Sequence, residues 1–362
     1  MSGRCKRILV APLDWGLGHA TRCIPVINEI LSYGHEPVLA ADGRAFDLLK
    51  GEYPQLKIIR LKGYHPRYPA QGNMAAAMFF QLPKFFFAIA REHIELKKII
   101  REYSIDAIIS DNRYGLWSDS IPSVFITHQL FIRMPERMKW LEKVVNGLNH
   151  YFIRQFRHCW VPDFAGEENL SGELSHRSRM PLKVEYIGLL CRKSQAGNAI
   201  GNRCKYDLLA LLSGPEPQRT LFEEEMKRQL LQLKLRALIV RGVTEENKTE
   251  KVNDFIEAVS HLSAHRLFEA MESSEVVVCR AGYSSLMELI TLQKKAVIIP
   301  TPGQTEQEYL ARRCRMLNYF ASQLQHEMNL KSALQAVKRT HPVMAASPSS
   351  NFFVIKRWID SI

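Results

Sequence analysis

Residues 276–309 read VVVCRAGYSSLMELITLQKKAVIIPTPGQTEQEY. A valine-rich apolar run leads into a glycine turn and a segment of helical period, and a second apolar run ends at a turn with two prolines and a glycine. Short apolar runs that alternate with helical segments are typical of βαβ units on a parallel sheet. The stretch therefore predicts an α/β fold.

The same alternation extends over most of the chain. Apolar runs lie at 7–12, 36–41, 57–61, 106–110, 123–127 and 159–162, and a second series lies at 208–212, 237–241, 276–280 and 296–300. Residues 191–207 between the two series are polar and rich in Gly and Asn, as linkers are. We therefore expect two Rossmann-like domains facing each other across a cleft, at 1–190 and 191–345, with a C-terminal helix at 346–362 that returns to the first domain.

Composition narrows the class of protein. The 362 residues are 46% hydrophobic and 24% charged, which is ordinary for a globular chain and unlike a disordered or fibrous one. The net charge of +12 favours an anionic partner, such as nucleotide phosphates, nucleic acid or an acidic membrane surface. No block of five like charges occurs, so the basic tail of many nucleic-acid-binding proteins is not indicated.

The cysteines and the apolar stretches indicate a compartment. Seven widely spaced cysteines form no Cys-x-x-Cys pair, which argues against a disulfide framework and a zinc site. The first apolar run ends at Asp14, too early for a signal peptide, and no stretch reaches the roughly 20 apolar residues of a membrane-spanning helix. We expect a cytoplasmic protein.

The loop after the first apolar run contains candidate phosphate-binding and catalytic residues. Gly16 and Gly18 permit a tight turn, and the helix start that follows can bind a phosphate through its N–H groups. His19 and Asp14 lie on this loop, and either could act as a general base. A helix-capping imidazole and an Asx turn are the plain structural alternatives.

The second half offers two further loops of the same kind. Ser213 and Gly214 join an apolar run to a helical segment, and Arg219 near that helix start could accompany a second anion. A plain polar loop would have the same composition. In the stretch 276–289, Glu288 lies in the second turn of the helix after the Arg280–Ser285 turn, where a carboxylate can accept two ribose hydroxyls.

The turn after the last apolar run is rich in amides and acids. Gln304, Gln307 and Glu308 suit hydrogen bonding to sugar hydroxyls. A solvated helix start is the alternative, because acidic residues favour the positive end of the helix dipole.

Taken in order, these residues resemble the GT-B glycosyltransferases of family 28, the MurG-like group. Residues 276–309 follow the family's order of strand, Arg-x-Gly, Ser or Thr, Glu, strand, Pro and a Gln-containing helix start. The loop 14–19 resembles its glycine-rich loop ending in Gly-His, and Thr127-His128-Gln129 resembles a His-Glu-Gln segment near the interdomain cleft.

The resemblance implies a reaction and a set of roles. The donor would be a UDP-sugar, most often UDP-N-acetylglucosamine, with its sugar transferred to a hydroxyl acceptor with inversion and with His19 as the base. The donor site would comprise Gly16, Gly18, Ser213, Gly214, Arg219, Arg280, Gly282, Ser284, Glu288, Gln304, Gln307 and Glu308, and the acceptor side would comprise Asp111, His128 and Gln129. The UDP-sugar is a substrate, so no cofactor is expected. No Asp-x-Asp occurs, and we expect no metal.

Three other functions compete with this interpretation. A nucleotide-sugar 2-epimerase would share the two domains but would eliminate UDP instead of passing the sugar to an acceptor. A non-catalytic nucleotide-sugar-binding protein would keep Glu288 and the loops without requiring His19 or Asp14. A nucleic-acid-binding protein would need a basic and aromatic recognition motif, which we do not find.

The first domain, on the expected acceptor side, contains an aromatic run and several cations. Residues 74–90 read MAAAMFFQLPKFFFAIA and hold five phenylalanines. The same domain carries the cations Arg133, Arg137, Lys139, Lys143, Arg154 and Arg157. An apolar patch beside cations suits docking on anionic lipid, so we expect an amphiphilic or glycan acceptor and contact with the inner face of a membrane. A buried core helix is the alternative interpretation.

Overall fold

The computed structural model describes residues 4–65, 80–191, 204–243, 247–341 and 352–362. These residues form two compact units. The first contains 4–65, 80–191 and 352–362, and the second contains 204–243 and 247–341. Most of the expected linker at 191–207 and residues 74–79 of the aromatic run lie outside the described residues.

The first unit is a parallel sheet covered by helices. Its elements are β1 (Arg7–Pro12), α1 (Leu17–Ser32), β2 (Glu36–Ala41), α2 (Gly43–Glu52), β3 (Ile58–Arg60), α3 (Leu82–Tyr103), β4 (Ala107–Asp111), β5 (Ser123–Ile126), α4 (Glu142–Ile153), β6 (His158–Val161) and β7 (Glu185–Tyr186). Short 3₁₀ helices lie at Glu136–Leu141 and Gly172–Leu174. The strand order is β3-β2-β1-β4-β5-β6-β7, and every pair is parallel.

The second unit repeats the architecture. It comprises β8 (Tyr206–Leu211), α5 (Gln218–Leu233), β9 (Ala237–Val240), β10 (Thr249–Lys251), β11 (Ile256–Val259), α6 (Ala264–Glu272), β12 (Ser274–Cys279), α7 (Tyr283–Thr291), β13 (Lys295–Ile298), α8 (Thr305–Met316), β14 (Ala321–Ser322), a 3₁₀ helix (Gln325–Glu327) and α9 (Leu330–Val337). The order is β10-β11-β9-β8-β12-β13-β14. Only β10 runs antiparallel among the described strands.

All ten apolar runs that the sequence singles out form strands, so the α/β expectation is confirmed. The central strands are almost completely buried, which explains why they read as continuous apolar runs. The four strands that the sequence did not indicate are β7, β10, β11 and β14, each of two to four residues. Their sequences are EY, TEK, IEAV and AS, and none of these is a continuous apolar run.

Each sheet has one point where the strand order reverses. In the first unit the reversal lies between β1 and β4, which pair with Pro12 opposite Asp111. In the second unit it lies between β8 and β12, with Leu211 opposite Cys279. The loops leaving two neighbouring strands diverge there and open a crevice at their carboxyl ends, where open α/β sheets bind ligands.

The C-terminal helix α10 (Phe353–Ser361) belongs to the first unit. Its Trp358 is 4% exposed and packs edge to face on Trp160 of β6, with 5.3 Å between ring centroids. Arg357 Nη2 donates to the Glu185 carboxylate at 2.5 Å. Among the helices of the described residues, none has the length and apolar character needed to cross a bilayer.

The packing of α10 predicts a stability effect. Trp358→Ala should lower the free energy of unfolding by about 3–5 kcal/mol, because it removes a buried indole from the Trp160 contact. Urea unfolding followed by fluorescence measures the change.

Phe353→Ala on the same helix is the matched control. Phe353 is 65% exposed, so this variant should stay within about 0.5 kcal/mol of the parent. Equal effects of the two substitutions would contradict the packing of α10 through Trp358.

Candidate functional site

The crevice of the first unit receives His19 and Asp111. Gly16 adopts a φ of 88°, a left-handed value that glycine reaches without strain. This turn leads from β1 into α1 and places His19 in the first turn of the helix. Asp111 is the last residue of β4, so both side chains lie where the strand order reverses.

Asp111 is fully buried and paired with an arginine. Arg22, itself 2% exposed, donates from Nε to Asp111 Oδ2 at 2.5 Å and from Nη2 to Oδ1. Burial alone would favour a protonated carboxyl, but the charge of Arg22, with the hydrogen bonds from Arg22 and His19, holds the pKa of Asp111 well below its usual range. The group is therefore a carboxylate at neutral pH.

His19 completes this pair. Its Nδ1 lies 2.8 Å from Asp111 Oδ1, and because a carboxylate only accepts, Nδ1 carries the hydrogen and Nε2 the lone pair. Burial, followed by the charge of Arg22, lowers the pKa of His19, although Asp111 opposes the shift. The imidazole keeps 17% of its surface exposed. The site therefore presents a neutral, oriented imidazole.

His128 joins the same group of side chains. It follows β5, is 5% exposed, and accepts a hydrogen bond from Arg22 Nη1 at Nδ1, over 3.0 Å. The structure thus brings together three of the predicted residues, His19, Asp111 and His128, through Arg22. Gln129 is half-buried next to them in the chain, and its N–H donates to Thr127 Oγ1 at 3.1 Å.

The other candidate base, Asp14, has different partners. Its Oδ1 accepts from the Tyr64 N–H at 3.3 Å, and its Oδ2 lies 3.3 Å from His65 Nδ1. His65 Nε2 lies 3.0 Å from Asp42 Oδ2. Asp14, Asp42 and His65 are the residues whose ligand atoms could hold a metal ion in the described parts of the chain. Backbone and imidazole groups already contact both carboxylates, and a base needs an accessible lone pair.

The crevice of the second unit is lined by a buried cation. Arg280, 1% exposed, follows β12 and donates from Nη2 to the Gln218 carbonyl at 2.8 Å and from Nε to the Ser213 carbonyl at 3.4 Å. Its guanidinium lies 4.3 Å from the Phe222 ring centroid. Within the described residues no carboxylate forms an ion pair with it. Burial lowers its pKa to about 10, so the cation persists at neutral pH.

The Ser213–Gly214 loop lies directly over this cation. Gly214 adopts a φ of 109°, and a Cβ there would lie 3.9 Å from Arg280 Nε and 3.6 Å from Thr301 Oγ1. The Thr301 hydroxyl is buried and has no partner among the described residues. An exposed loop, a buried cation and a buried hydroxyl without an acceptor are suited to an anion.

Several predicted donor-site residues already form ion pairs or hydrogen bonds with residues near them in the chain. Arg219 pairs with Glu216 at 2.5 Å and with Glu223 at 3.0 Å, so two carboxylates already neutralise its charge. Gln307 Oε1 accepts from the Thr301 N–H at 2.9 Å and its Nε2 donates to Gln304 Oε1 at 2.5 Å.

The remaining predicted residues lie in α8 and around the start of α7. Glu308 Oε1 accepts from the Gly303 N–H at 2.9 Å, which also makes it a loop-fixing group. Gly282 is the N-cap of α7, Ser284 lies in its first turn and Glu288 in its second, and all three are half-buried. The structure thus places Arg280, Gly282, Ser284 and Glu288 on one strand-to-helix connection.

A known protein family matches a stretch of the chain that lies mostly in the second unit. Residues 219–352 match the glycosyltransferase family 28 C-terminal domain. The similar proteins include an uncharacterized glycosyltransferase of Methanosarcina acetivorans, 21% identical over 327 residues that cover 83% of this chain and 81% of that protein. Another is an uncharacterized glycosyltransferase of Methanosarcina mazei, 22% identical over 322 residues that cover 83% and 82% of the two chains.

Solved structures resemble the whole chain. The glycotransferase of kitacinnamycin superposes with a TM-score of 0.62 at 15% identity, over 96% of this chain and 93% of that one. Acinetobacter baumannii MurG gives 0.58 at 14%, over 99% and 100%. Streptomyces sp. SF2575 SsfS6, complexed with thymidine diphosphate, gives 0.62 at 14%, over 99% and 100%. These likenesses confirm the predicted GT-B fold with two Rossmann-like domains; the narrower MurG-like assignment stays a prediction.

Sequence reasoning missed Arg22. The signal that could have found it is the spacing His19-x-x-Arg22, because residues three apart lie on the same face of a helix. Nothing local in the sequence indicates that Asp111, 89 residues later, is the partner. Arg22 would have read as one more exposed cation on a basic protein.

The burial of Asp111 predicts a pH-dependent stability. Asp111→Asn should lower the free energy of unfolding by about 3–5 kcal/mol at pH 7, because Arg22 is left buried without a carboxylate. The folded-state pKa of Asp111 is depressed, so its stabilisation is present above about pH 4 and is lost as the pH falls further. Urea unfolding of both proteins at pH 7, 5 and 3.5 should show the difference shrinking at the lowest pH.

Asp254→Asn is the control for removing one acidic charge. Asp254 is 86% exposed, so its variant should unfold like the parent at each pH. A difference between Asp111→Asn and the parent that stays constant down to pH 3.5 would contradict the paired state of Asp111.

Proposed function

We propose that this protein is a glycosyltransferase that moves a hexose, N-acetylglucosamine or a close relative, from a UDP-sugar to a hydroxyl acceptor, with inversion and without a metal ion. The observation that carries the proposal is the His19–Asp111 pair at the crevice of the first unit. The family 28 match over 219–352 supports a nucleotide-sugar donor.

In the proposed reaction His19 is the general base. Its neutral Nε2 takes the proton of the acceptor hydroxyl as the acceptor oxygen attacks the anomeric carbon. The bond from the anomeric carbon to the UDP oxygen breaks on the opposite face, which inverts the configuration and releases UDP. The new imidazolium is stabilised by Asp111, which accepts from Nδ1 at 2.8 Å. Asp14 is the less suitable base, because Tyr64 and His65 already engage both of its oxygens.

The second unit is proposed to bind the donor. The leaving diphosphate carries negative charge, and Arg280 with the Thr301 hydroxyl and the Ser213–Gly214 backbone offers a fixed cation and donors for it. Such groups can stabilise the diphosphate without a metal. Glu288 is proposed to accept the ribose hydroxyls, because it lies one turn beyond the start of α7.

The acceptor is proposed to be amphiphilic. Phe80 is 81% exposed and Phe87 71%, so a buried core helix does not describe this part of the aromatic run. Phe86 of α3 packs on Phe152 of α4 at 5.9 Å between centroids, which makes the two helices neighbours.

The 3₁₀ helix Glu136–Leu141 and α4, which follows it, extend this exposed surface. Trp140 is 76% and Tyr151 60% exposed, and Arg137, Lys139 and Lys143 are exposed on the same segment. Large aromatic groups beside cations favour the interface of an anionic bilayer. We therefore propose that the first unit docks on a membrane surface that presents the acceptor.

The proposed roles of His19 and Glu288 predict two different defects, one in turnover and one in UDP binding. His19→Ala should lower turnover by about 10²–10⁴-fold and keep UDP affinity, because only the base is lost. Glu288→Gln should weaken UDP binding by roughly 2–4 kcal/mol, because charge-assisted hydrogen bonds to the ribose are lost. Calorimetry with UDP and an assay of UDP release measure the two effects.

His265→Ala and Glu275→Gln, both exposed, are the matched controls and should leave both quantities unchanged. Thermal shifts with UDP-, GDP- and dTDP-sugars test the choice of nucleotide, since ligands that bind the native state raise Tm. Conversion of the donor to its 2-epimer without an acceptor would favour the epimerase, and donor binding without UDP release under any condition would favour the non-catalytic protein.

The exposed aromatic surface predicts membrane binding. Vesicles of phosphatidylglycerol and phosphatidylcholine should co-sediment with the parent, and the double variant Phe80→Ser, Phe87→Ser should bind at least ~10-fold more weakly, because each phenylalanine contributes about 1.5–3 kcal/mol when buried.

Phe255→Ser is the control, because Phe255 is 51% exposed in the second unit, and its binding should equal that of the parent. Absence of parent binding to highly anionic vesicles at low salt would point to a soluble acceptor and would leave the transfer reaction to be judged by the previous experiment.

A further inference from the structure

Five side chains meet at the carboxyl end of β4. Asp111 lies at the centre, with Arg22 and His19 from one face of α1 and His128 from the connection after β5. Cys23 Sγ also donates to Asp111 Oδ2 at 3.6 Å. Arg22 is the one permanently charged cation among them, since a guanidinium stays protonated in proteins.

The donor and acceptor capacities of these groups determine both imidazole tautomers. A guanidinium only donates, so His128 Nδ1, 3.0 Å from Arg22 Nη1, carries a lone pair, and the neutral ring holds its hydrogen on Nε2. A carboxylate only accepts, so His19 Nδ1, 2.8 Å from Asp111 Oδ1, carries the hydrogen. Arg22 Nη2 also lies 3.0 Å from His19 Nδ1, a contact that would favour a lone pair on this nitrogen. The shorter contact to the Asp111 carboxylate, at 2.8 Å, favours the hydrogen.

We infer that Arg22 is a positioning residue that fixes His19 and His128 in opposite tautomers, one ring with an Nε2 lone pair and the other with an Nε2 hydrogen. The inference rests on the proposed role of His19 as the base. Arg22 acts through its neighbours: it orients Asp111, which orients His19, and it orients His128 directly.

Lysine cannot replace arginine in this position. The planar guanidinium reaches both oxygens of Asp111 and His128 Nδ1 at once from three different nitrogens. An ammonium group is a single nitrogen, and at a site where Arg22 is 2% exposed no water can easily supply the missing hydrogen bonds. In Arg22→Lys at least one of the two imidazole rings should therefore populate both neutral tautomers.

The charge of Arg22 also predicts a pH effect. The charged and titratable groups facing His19 are Arg22, Asp111 and His128. Arg22 lowers the pKa of His19 and Asp111 raises it. Since His19 must be neutral to accept a proton, Arg22→Met should move the acid limb of the rate profile to higher pH.

The test uses the full-length protein with ¹⁵N-labelled histidine, and the two rings are assigned with His19→Gln and His128→Gln. The parent should show His19 protonated on Nδ1 and His128 on Nε2. In Arg22→Lys at least one ring should show mixed tautomers, and turnover should fall by about 10²-fold while the Kd for UDP changes less than about twofold.

Arg113→Lys is the matched control. Arg113 is also fully buried and paired with a carboxylate of the first unit, that of Glu92 at 2.7 Å, so it reports the general cost of this substitution. It should leave both tautomers as in the parent, whatever its effect on Tm. If Arg22→Met does not fold, Arg22→Lys still decides the tautomers.

Two results would overturn the inference: a parent with other tautomers, or an Arg22→Lys protein that keeps both parental tautomers and full turnover. The tautomers are measured without substrate, so a failure of the inference can be distinguished from a failure of the proposed function. A parent with the expected tautomers that transfers no sugar from any nucleotide donor would contradict the glycosyltransferase and leave the placement of Arg22 standing.

Discussion

The buried pair of Arg22 and Asp111 fixes helix α1 against the carboxyl end of β4. Removing two charges from water costs several kcal/mol per ion, and only close pairing with additional hydrogen bonds offsets that cost. The pair therefore tolerates little displacement of the helix relative to the strand. His19 lies one turn before Arg22 on α1, so its position and its tautomer follow from this pairing.

The two units use the same sheet reversal for different chemistry. In the first unit the crevice between β1 and β4 holds a carboxylate, two imidazoles and a guanidinium that compensate one another, an arrangement suited to moving a proton. In the second unit the crevice between β8 and β12 holds Arg280, whose cation meets only carbonyl oxygens and an aromatic face among the described residues. A cation without a counter-charge suits an anionic ligand.

Polar side chains in the loops of the second unit mostly stabilise the loops. Gln307 and Glu308 accept from backbone N–H groups of the turn before α8, and Arg219 pairs with Glu216 just before α5 and with Glu223 inside it. The cation that faces the Ser213–Gly214 loop instead comes from the next strand in the sheet, β12.

The sequence by itself determined the α/β class and ten of the strands, because the central strands are buried on both faces and must be continuously apolar. It also indicated the loops after β1 and β8, where Gly16 and Gly214 adopt the positive φ that glycine reaches without strain. It did not determine which polar residues meet, because Asp111 reaches Arg22 through the pairing of β1 with β4. It did not determine that Phe87 is exposed whereas Phe125 is buried, since an aromatic residue has the same local pattern in both settings. Only the tertiary structure decides these points, because burial and charge pairing depend on elements far apart in the chain.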